Sequence, residues 1–121
     1  MYKVTDEDIE DILDTAGYGM NYWAYEAHVD SEARTYTVRT DPDLIDDEEP
    51  VTVTFDKLLE TAFRIAGGQY EMNDSIRECF IDWHEALMLD DEDSQYAGGF
   101  IDADAGDVLV QIAINDEIVY G

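Results

Sequence analysis

The stretch VTVTFDKLLETAFRIAGG, residues 51–68, changes from the alternation of a β-strand to the spacing of an α-helix. Its first five residues alternate and carry β-branched side chains, which is typical of a strand. After Asp56, which we expect to cap the helix, apolar side chains recur at helical intervals until Gly67 and Gly68 end it. The stretch therefore predicts a fold that contains both sheet and helix.

Two segments upstream also have the composition of strands, YEAHV at residues 25–29 and RTYTVRT at residues 34–40. Together with residues 51–55 they predict a three-stranded antiparallel sheet. The connection DPDLIDDEEP, residues 41–50, carries six acidic residues, five of them between its two prolines, and predicts an exposed loop. Its length indicates a segment that is either mobile or functional.

The N-terminal stretch TDEDIEDILD predicts a first helix that begins near Asp6 and ends near Ala16. Thr5 and Asp8 have the spacing of a variant capping box, and apolar residues follow at helical intervals. We expect the two glycines of GYG, residues 17–19, to break this helix. The aromatic residues that follow lead into the first strand.

Two more segments, residues 73–89 and 101–115, have helical periodicity, and Asp102 or Asp104 is expected to cap the second. A chain of 121 residues is long enough for one compact domain. We therefore predict an α+β fold in a single domain, residues 1–121, with a small antiparallel three-stranded sheet packed by three to four helices. The side chains expected to face the core are Ile76, Phe80, Trp83, Leu87, Val108, Leu109, Ile112 and either Tyr22 or Trp23.

The charge of the chain is extreme: 31 acidic residues against 6 basic ones give a formal net charge of −25. Self-repulsion on this scale destabilises the compact state, so either high salt screens it or function requires it. Nucleic acids and anionic membranes would be repelled, which argues against both as direct partners. A strongly basic protein surface is the natural complement.

Sequence features that mark compartments are few. The one cysteine, Cys79, cannot form an internal disulfide, and its apolar neighbours predict a buried thiol. No apolar run approaches the roughly 20 residues of a membrane span, and the N-terminus lacks the features of a signal peptide. We therefore expect an intracellular, cytoplasmic location.

Patterns that would indicate catalysis or metal binding are incomplete. Residues 102–113, DADAGDVLVQIA, begin like an EF-hand loop, but Gly106 and Ala113 occupy positions where that loop needs a ligand. His28 and His84 have no companions at a characteristic spacing, and we expect His84 at a helix surface. We therefore expect no metal, no cofactor and no enzymatic activity.

The spacing of the acidic residues is more informative. Asp6, Glu10 and Asp14 are predicted to share one stripe of the first helix, about 5 to 6 Å apart, where like charges destabilise the helix. Carboxylates at this interval resemble the phosphates of a nucleic-acid strand, and they suit a groove lined with Lys and Arg. The pattern is typical of a DNA mimic.

Both ends of the chain resemble a group of small proteins encoded by phages and other mobile elements. The resemblance rests on TDEDIEDILDTAGYGMNYWA, residues 5–24, with its acidic helix and NYW patch, and on IDADAGDVLVQIAINDEIVYG, residues 101–121. It implies a mobile-element origin and the cytoplasm of a host cell, and it carries no catalytic residues. In charge and size, the chain also resembles anti-restriction and anti-CRISPR inhibitors that imitate DNA.

These observations lead to one main expectation, an acidic inhibitor that blocks a basic nucleic-acid-binding defence protein, either a CRISPR effector or a restriction enzyme. The alternative is an ordinary intracellular phage or halophile domain whose acidity serves solubility in high salt and which acts through protein–protein contacts. Tyr18 and Tyr25 are candidates for stacking at the rim of the contact, although core burial is the stronger expectation for both. The contact residues expected are Asp6, Glu10, Asp14, Asp43, Asp46, Asp47, Glu48 and Glu49.

Overall fold

The computed structural model describes residues 1–44 and 49–120, and in these ranges it contains three strands, four α-helices and one 3-10 helix. The α+β prediction is confirmed, and the 3-10 helix is an element that the sequence did not predict. In chain order the elements are α1 (Asp6–Met20), β1 (Ala24–Asp30), β2 (Thr35–Thr40), β3 (Val51–Thr54), α2 (Phe55–Ala66), α3 (Asp74–Leu89), the 3-10 helix (Ser94–Phe100) and α4 (Ala103–Asn115).

The sheet is antiparallel with strand order β1-β2-β3, as predicted. In the central strand, Tyr36 and Val38 are buried and face the helices. On the opposite face Thr37 bonds Thr52 of the neighbouring strand through their hydroxyls at 2.8 Å. One face of the sheet is therefore packed and the other polar, which is the usual arrangement for a small antiparallel sheet.

Helix α4 lies at the centre of the molecule. It is buried continuously from Ala105 to Ala113, and it contacts α1, α2, α3 and β3. The sequence predicted only an inner side of α4, at Val108, Leu109 and Ile112. Because a helix enclosed by neighbours buries all of its faces, the whole of DVLVQIA is apolar apart from Asp107 and Gln111.

Helix α1 continues through both of its glycines to Met20, so the prediction that they break the helix is wrong. At Gly19, the absence of a side chain permits close packing of α1 against α4. A Cβ at Gly19 would overlap the carbonyl oxygen of Ala103, and a Cβ at Gly106 would lie 2.7 Å from the Cβ of Ala16. Gly19 therefore allows α1 and α4 to approach each other closely, and it does not end α1.

The helix caps agree with those predicted from the sequence, except at α2. The capping box of Thr5 and Asp8 is present, and Asp102 caps α4 by accepting from Ala105 N. Helix α2 is capped by Thr54, not by Asp56 as predicted. Because a cap residue is extended and precedes the first turn, Thr54 at the end of β3 fits that position, whereas Asp56 already lies in the helix.

Candidate interaction surface

The N-terminal carboxylates of α1 face the turn between β1 and β2. The guanidinium of Arg34 donates to Asp6 at 2.9 Å and to Asp56 at 3.0 Å. These hydrogen bonds, with Asp6 the stronger cause, raise the pKa of Arg34 above its ordinary value. Glu10 accepts a hydrogen bond from the hydroxyl of Ser31. Asp6 and Glu10 are thus half-buried against the hairpin and engaged within the chain.

Three acidic residues of α1 are exposed to solvent. Glu7, Asp11 and Asp14 are exposed, and within residues 1–44 and 49–120 they form no hydrogen bond or ion pair. Their spacing of four and then three residues places them on one face of the helix. We call these three residues the acidic stripe. Of the predicted helix residues, only Asp14 belongs to it.

Asp43 and Glu49, the predicted loop residues that the structure describes, lie at the other end of the hairpin. Asp43 and Glu49 are exposed, and the backbone of Asp41 donates to the carbonyl of Trp23, next to the start of β1. Asp6 contacts the opposite end, so the length of β1 separates the two groups by roughly 20 Å. The remaining predicted contact residues, Asp46, Asp47 and Glu48, lie outside the described part of the chain.

Two tyrosines expected in the core are exposed instead. Tyr18 continues the acidic stripe by one turn and is 80% exposed. Tyr25 is 63% exposed and lies at an irregularity in the pairing of β1, between Ala24 and Glu26. Because a bulge redirects the side chain that it carries, the strand pattern alone did not reveal the orientation of Tyr25.

The arginines are already paired with acidic residues of the same chain. Besides Arg34, the ion pairs join Arg39 to Glu26 at 4.0 Å, Arg64 to Glu60 at 2.6 Å and Arg77 to Asp74 at 3.9 Å. Little positive charge therefore remains to neutralise the acidic stripe.

A second feature is the buried carboxylate of Asp107 in α4, which is 7% exposed. Its oxygens accept hydrogen bonds from the indole of Trp23 at 2.6 Å, the hydroxyl of Tyr22 at 2.8 Å and the amide of Gln111 at 2.9 Å. Among the described residues no basic side chain forms an ion pair with Asp107. Burial, followed by the bond to Asp107, raises the pKa of Tyr22 to about 12.

The side chain of Gln111 extends this network to the C-terminal segment. Its Oε1 accepts from the backbone N–H groups of Val119 at 2.9 Å and Tyr120 at 2.7 Å. The ring of Tyr120 stacks on Trp23 with centroids 5.0 Å apart. The sequence signal for this network is the pair Asp107 and Gln111, two polar residues four positions apart within an otherwise apolar helix. The sequence-based prediction missed it because it assigned only an apolar side to this helix.

Next to this network lies an open cleft of about 690 Å³. It is lined by Tyr22, Asp104 and Asp107, by the amide side chain of Asn73, and by apolar side chains, among them Ile76 and Ile118. A concave site with a few convergent polar groups is the usual form of a binding site. The cleft is therefore the second candidate for a functional contact, beside the acidic stripe.

The groups considered for catalysis remain isolated. Cys79 is half-buried rather than buried, and burial is the main cause that raises the pKa of its thiol, which disfavours the reactive thiolate. His84 is half-buried, with its ring edge-on to Phe63 at 5.5 Å. Within the described ranges, no group of three or more His, Cys, Asp and Glu side chains is arranged to hold a metal ion.

In residues 1–44 and 49–120, no helix combines the length and the apolar composition that crossing a bilayer requires. Comparison with known proteins found no matching family model, no similar curated protein and no similar solved structure.

Proposed function

We propose that the protein is a non-enzymatic inhibitor that occupies the nucleic-acid groove of a basic protein and presents its carboxylates in place of phosphates. The observation that carries this proposal is the acidic stripe, Glu7, Asp11 and Asp14, three exposed carboxylates on a rigid helix without neutralising partners in the described chain. A groove lined with Lys and Arg offers the partners that these carboxylates lack.

The spacing of the stripe supports this role. Carboxylates three to four residues apart lie about 5 Å apart along a helix axis. One strand of DNA carries a phosphate every 3.4 Å or so along its axis. The two charge densities are therefore similar, and the helix holds its charges at fixed positions. Tyr18, next on the same face, adds an exposed ring that suits the centre of a protein interface.

The distribution of cations supports the same reading. Arg34, Arg39, Arg64 and Arg77 pair with acidic residues of the chain. Since a protein that binds nucleic acid needs free cations on its surface, direct binding is disfavoured. The resemblance to small mobile-element proteins leads us to propose a restriction enzyme or a CRISPR effector of the host cytoplasm as the target.

The test is DNA cleavage by a panel of purified restriction endonucleases and CRISPR effectors, measured with increasing amounts of the protein. We expect inhibition of at least one enzyme, competition with added DNA, and a steep loss of inhibition as KCl rises. Inhibition of equal strength at low and high salt, or inhibition that excess DNA does not relieve, would contradict mimicry.

A matched pair of variants distinguishes the stripe from net charge alone. The triple variant Glu7→Lys, Asp11→Lys, Asp14→Lys should lose inhibition. The control variant Glu71→Lys, Glu78→Lys, Glu85→Lys changes the net charge by the same amount at other exposed positions and should retain most of it. Equal loss in the two variants would mean that overall charge acts, and equal retention would remove the stripe from the proposal.

A further inference from the structure

The cleft beside Asp107 is amphipathic in a way that restricts what it can hold. Asp104, Asp107 and the phenol of Tyr22 belong to its polar part, whereas Ile76 and Ile118 belong to its apolar part. Among the residues that the structure describes, no basic side chain lines the cleft. A ligand that fits both parts carries positive charge at one end and an apolar stem behind it.

From this charge complementarity we infer that the cleft receives an arginine side chain of a basic partner protein. The inference rests on the proposed function only in taking that partner to be a protein. The stem of an arginine covers apolar surface while its planar head donates up to five hydrogen bonds, so it suits a cleft with apolar walls and carboxylates at one side.

The bonding of Asp107 is the strongest argument for a cation. An ionised carboxylate offers about four acceptor positions, and Asp107 uses three of them on Trp23, Tyr22 and Gln111. All three donors are neutral. Because a buried charge is normally balanced by an opposite one, the carboxylate lacks its counter-charge within the described chain. A guanidinium bound in the cleft, which Asp104 also lines, supplies it.

The same lining disfavours a metal ion. Calcium takes six to eight oxygen ligands, whereas two carboxylates, Asp104 and Asp107, are found among the described residues that line this cleft. In the described ranges no group of three or more His, Cys, Asp and Glu side chains is arranged to hold a metal ion. The aromatic side chains of Tyr22 and Tyr120 also contribute to the walls. Aromatic surface attracts arginine through its delocalised cation.

The test uses the indole N–H signals of the two tryptophans in an NMR titration. Trp23 donates to Asp107, whereas Trp83 is buried against Phe63, so the first reports on the cleft and the second is an internal control. The probe is acetyl-arginine-methylamide, and the comparison probe is the citrulline analogue, which has nearly the same shape and no charge. Both are titrated at constant ionic strength.

We expect a saturable shift of the Trp23 signal with the arginine probe, little shift with the citrulline probe, and no shift of Trp83. Asp104→Asn should weaken the arginine probe about threefold, the size expected for one exposed charge. The control Asp116→Asn removes one charge at the C-cap of α4, outside this cleft, and should leave the affinity unchanged. Ile118→Arg places a cation of the chain in the cleft and should abolish binding.

Several results would overturn the inference: equal shifts with the two probes, a linear and non-saturating shift, or an equal effect of the two Asn variants. These results leave the inhibition assays of the acidic stripe untouched. Conversely, saturable arginine binding by a protein that inhibits no enzyme of the panel supports the cleft assignment and contradicts the proposed function. The two proposals therefore fail in different experiments.

Discussion

The indole of Trp23 and the carboxylate of Asp107 form a buried hydrogen bond of 2.6 Å between residues 84 positions apart in the chain. Trp23 directly precedes β1 and is 1% exposed, and Asp107 belongs to the central helix α4. The bond therefore joins the start of the sheet to the core helix. It also gives the C-terminal segment its anchor, because Tyr120 stacks on the same indole.

Removing the carboxylate should therefore destabilise the fold. Asp107→Ala leaves the Trp23 N–H buried without an acceptor, and we expect a loss of about 3 kcal/mol in the free energy of unfolding, measured in urea. Asp11→Ala is the control, since Asp11 is exposed and makes no such bond, and because it relieves repulsion from Glu7 and Asp14 it should not destabilise the protein. Similar losses in the two variants would show that Asp107 acts only through its charge.

The glycines of α1 provide a second prediction with a control in the same helix. Gly19→Ala should destabilise the protein by about 1 to 3 kcal/mol, because the new methyl group meets the backbone of Ala103. Gly17→Ala has no atom within 4 Å of its new Cβ, and it should stabilise the helix by roughly 0.5 to 1 kcal/mol. Thermal melts of the two variants should shift in opposite directions. A shift in the same direction would contradict the packing argument.

The sequence predicted those features of the fold that depend on residues close together in the chain. The strand alternation of residues 51–55 and the capping box of Thr5 depend on neighbours within four residues. The capping box is present, and the strand covers Val51–Thr54, one residue shorter than predicted. The central position of α4 depends on which elements surround it. The local pattern therefore indicated only one apolar side of α4, whereas the fold buries all residues from 105 to 113.

The site was predictable only in part for the same reason. The sequence correctly indicated that α1 carries exposed acidic residues, but the hairpin decides which ones. Asp6 and Glu10 form hydrogen bonds with Arg34 and Ser31 of the hairpin. The exposed stripe therefore consists of Glu7, Asp11 and Asp14. The cleft combines residues from distant parts of the chain, and no spacing within the sequence indicated it.

The phenol of Tyr36 predicts how stability depends on alkaline pH. Tyr36 is 3% exposed, and burial, followed by the charge of Asp14, raises its pKa from 10.0 to about 12. Since the folded state favours the protonated phenol, this stabilisation is complete below about pH 10 and is lost as the pH rises to about 12. A shift of two units corresponds to about 2 to 3 kcal/mol.

The variant Tyr36→Phe should therefore show a shallower loss of unfolding free energy between pH 10 and 12 than the unmodified protein, measured by urea titration at each pH. Tyr18→Phe is the control because its ring is exposed, and its pH profile should match that of the unmodified protein. A profile of Tyr36→Phe that is as steep as the control would assign the alkaline loss to other groups.

The dependence of the melting temperature on salt distinguishes a DNA mimic from a domain whose acidity serves solubility in high salt. We expect a cooperative thermal melt, followed by circular dichroism, in about 0.1 M KCl, with only a modest rise of the melting temperature in multimolar KCl. The buried core and the satisfied caps of α1 and α4 support folding without screening. Unfolding at low salt that KCl reverses would instead favour the alternative in which acidity serves solubility.

We expect the carboxylates of the acidic stripe to lower the stability of the fold, because they repel one another. Asp11→Lys replaces repulsion from Glu7 and Asp14 with attraction, so it should raise the free energy of unfolding by about 1 kcal/mol at low salt. The gain should largely disappear in 1 M KCl, where charges are screened beyond about 3 Å. Asp11→Gln removes the repulsion without adding attraction and should give about half of the gain.

The same two variants should inhibit less well in the cleavage assay, with Asp11→Lys the weaker inhibitor. Since a charge kept only for folding would not reduce stability, a gain in stability with a loss of inhibition indicates that the partner, not the fold, requires Asp11. Stabilised variants that inhibit as well as the unmodified protein would show that the repulsion within α1 has no role in binding. The unfolding and cleavage measurements on one set of variants thus test the charge of the first helix directly.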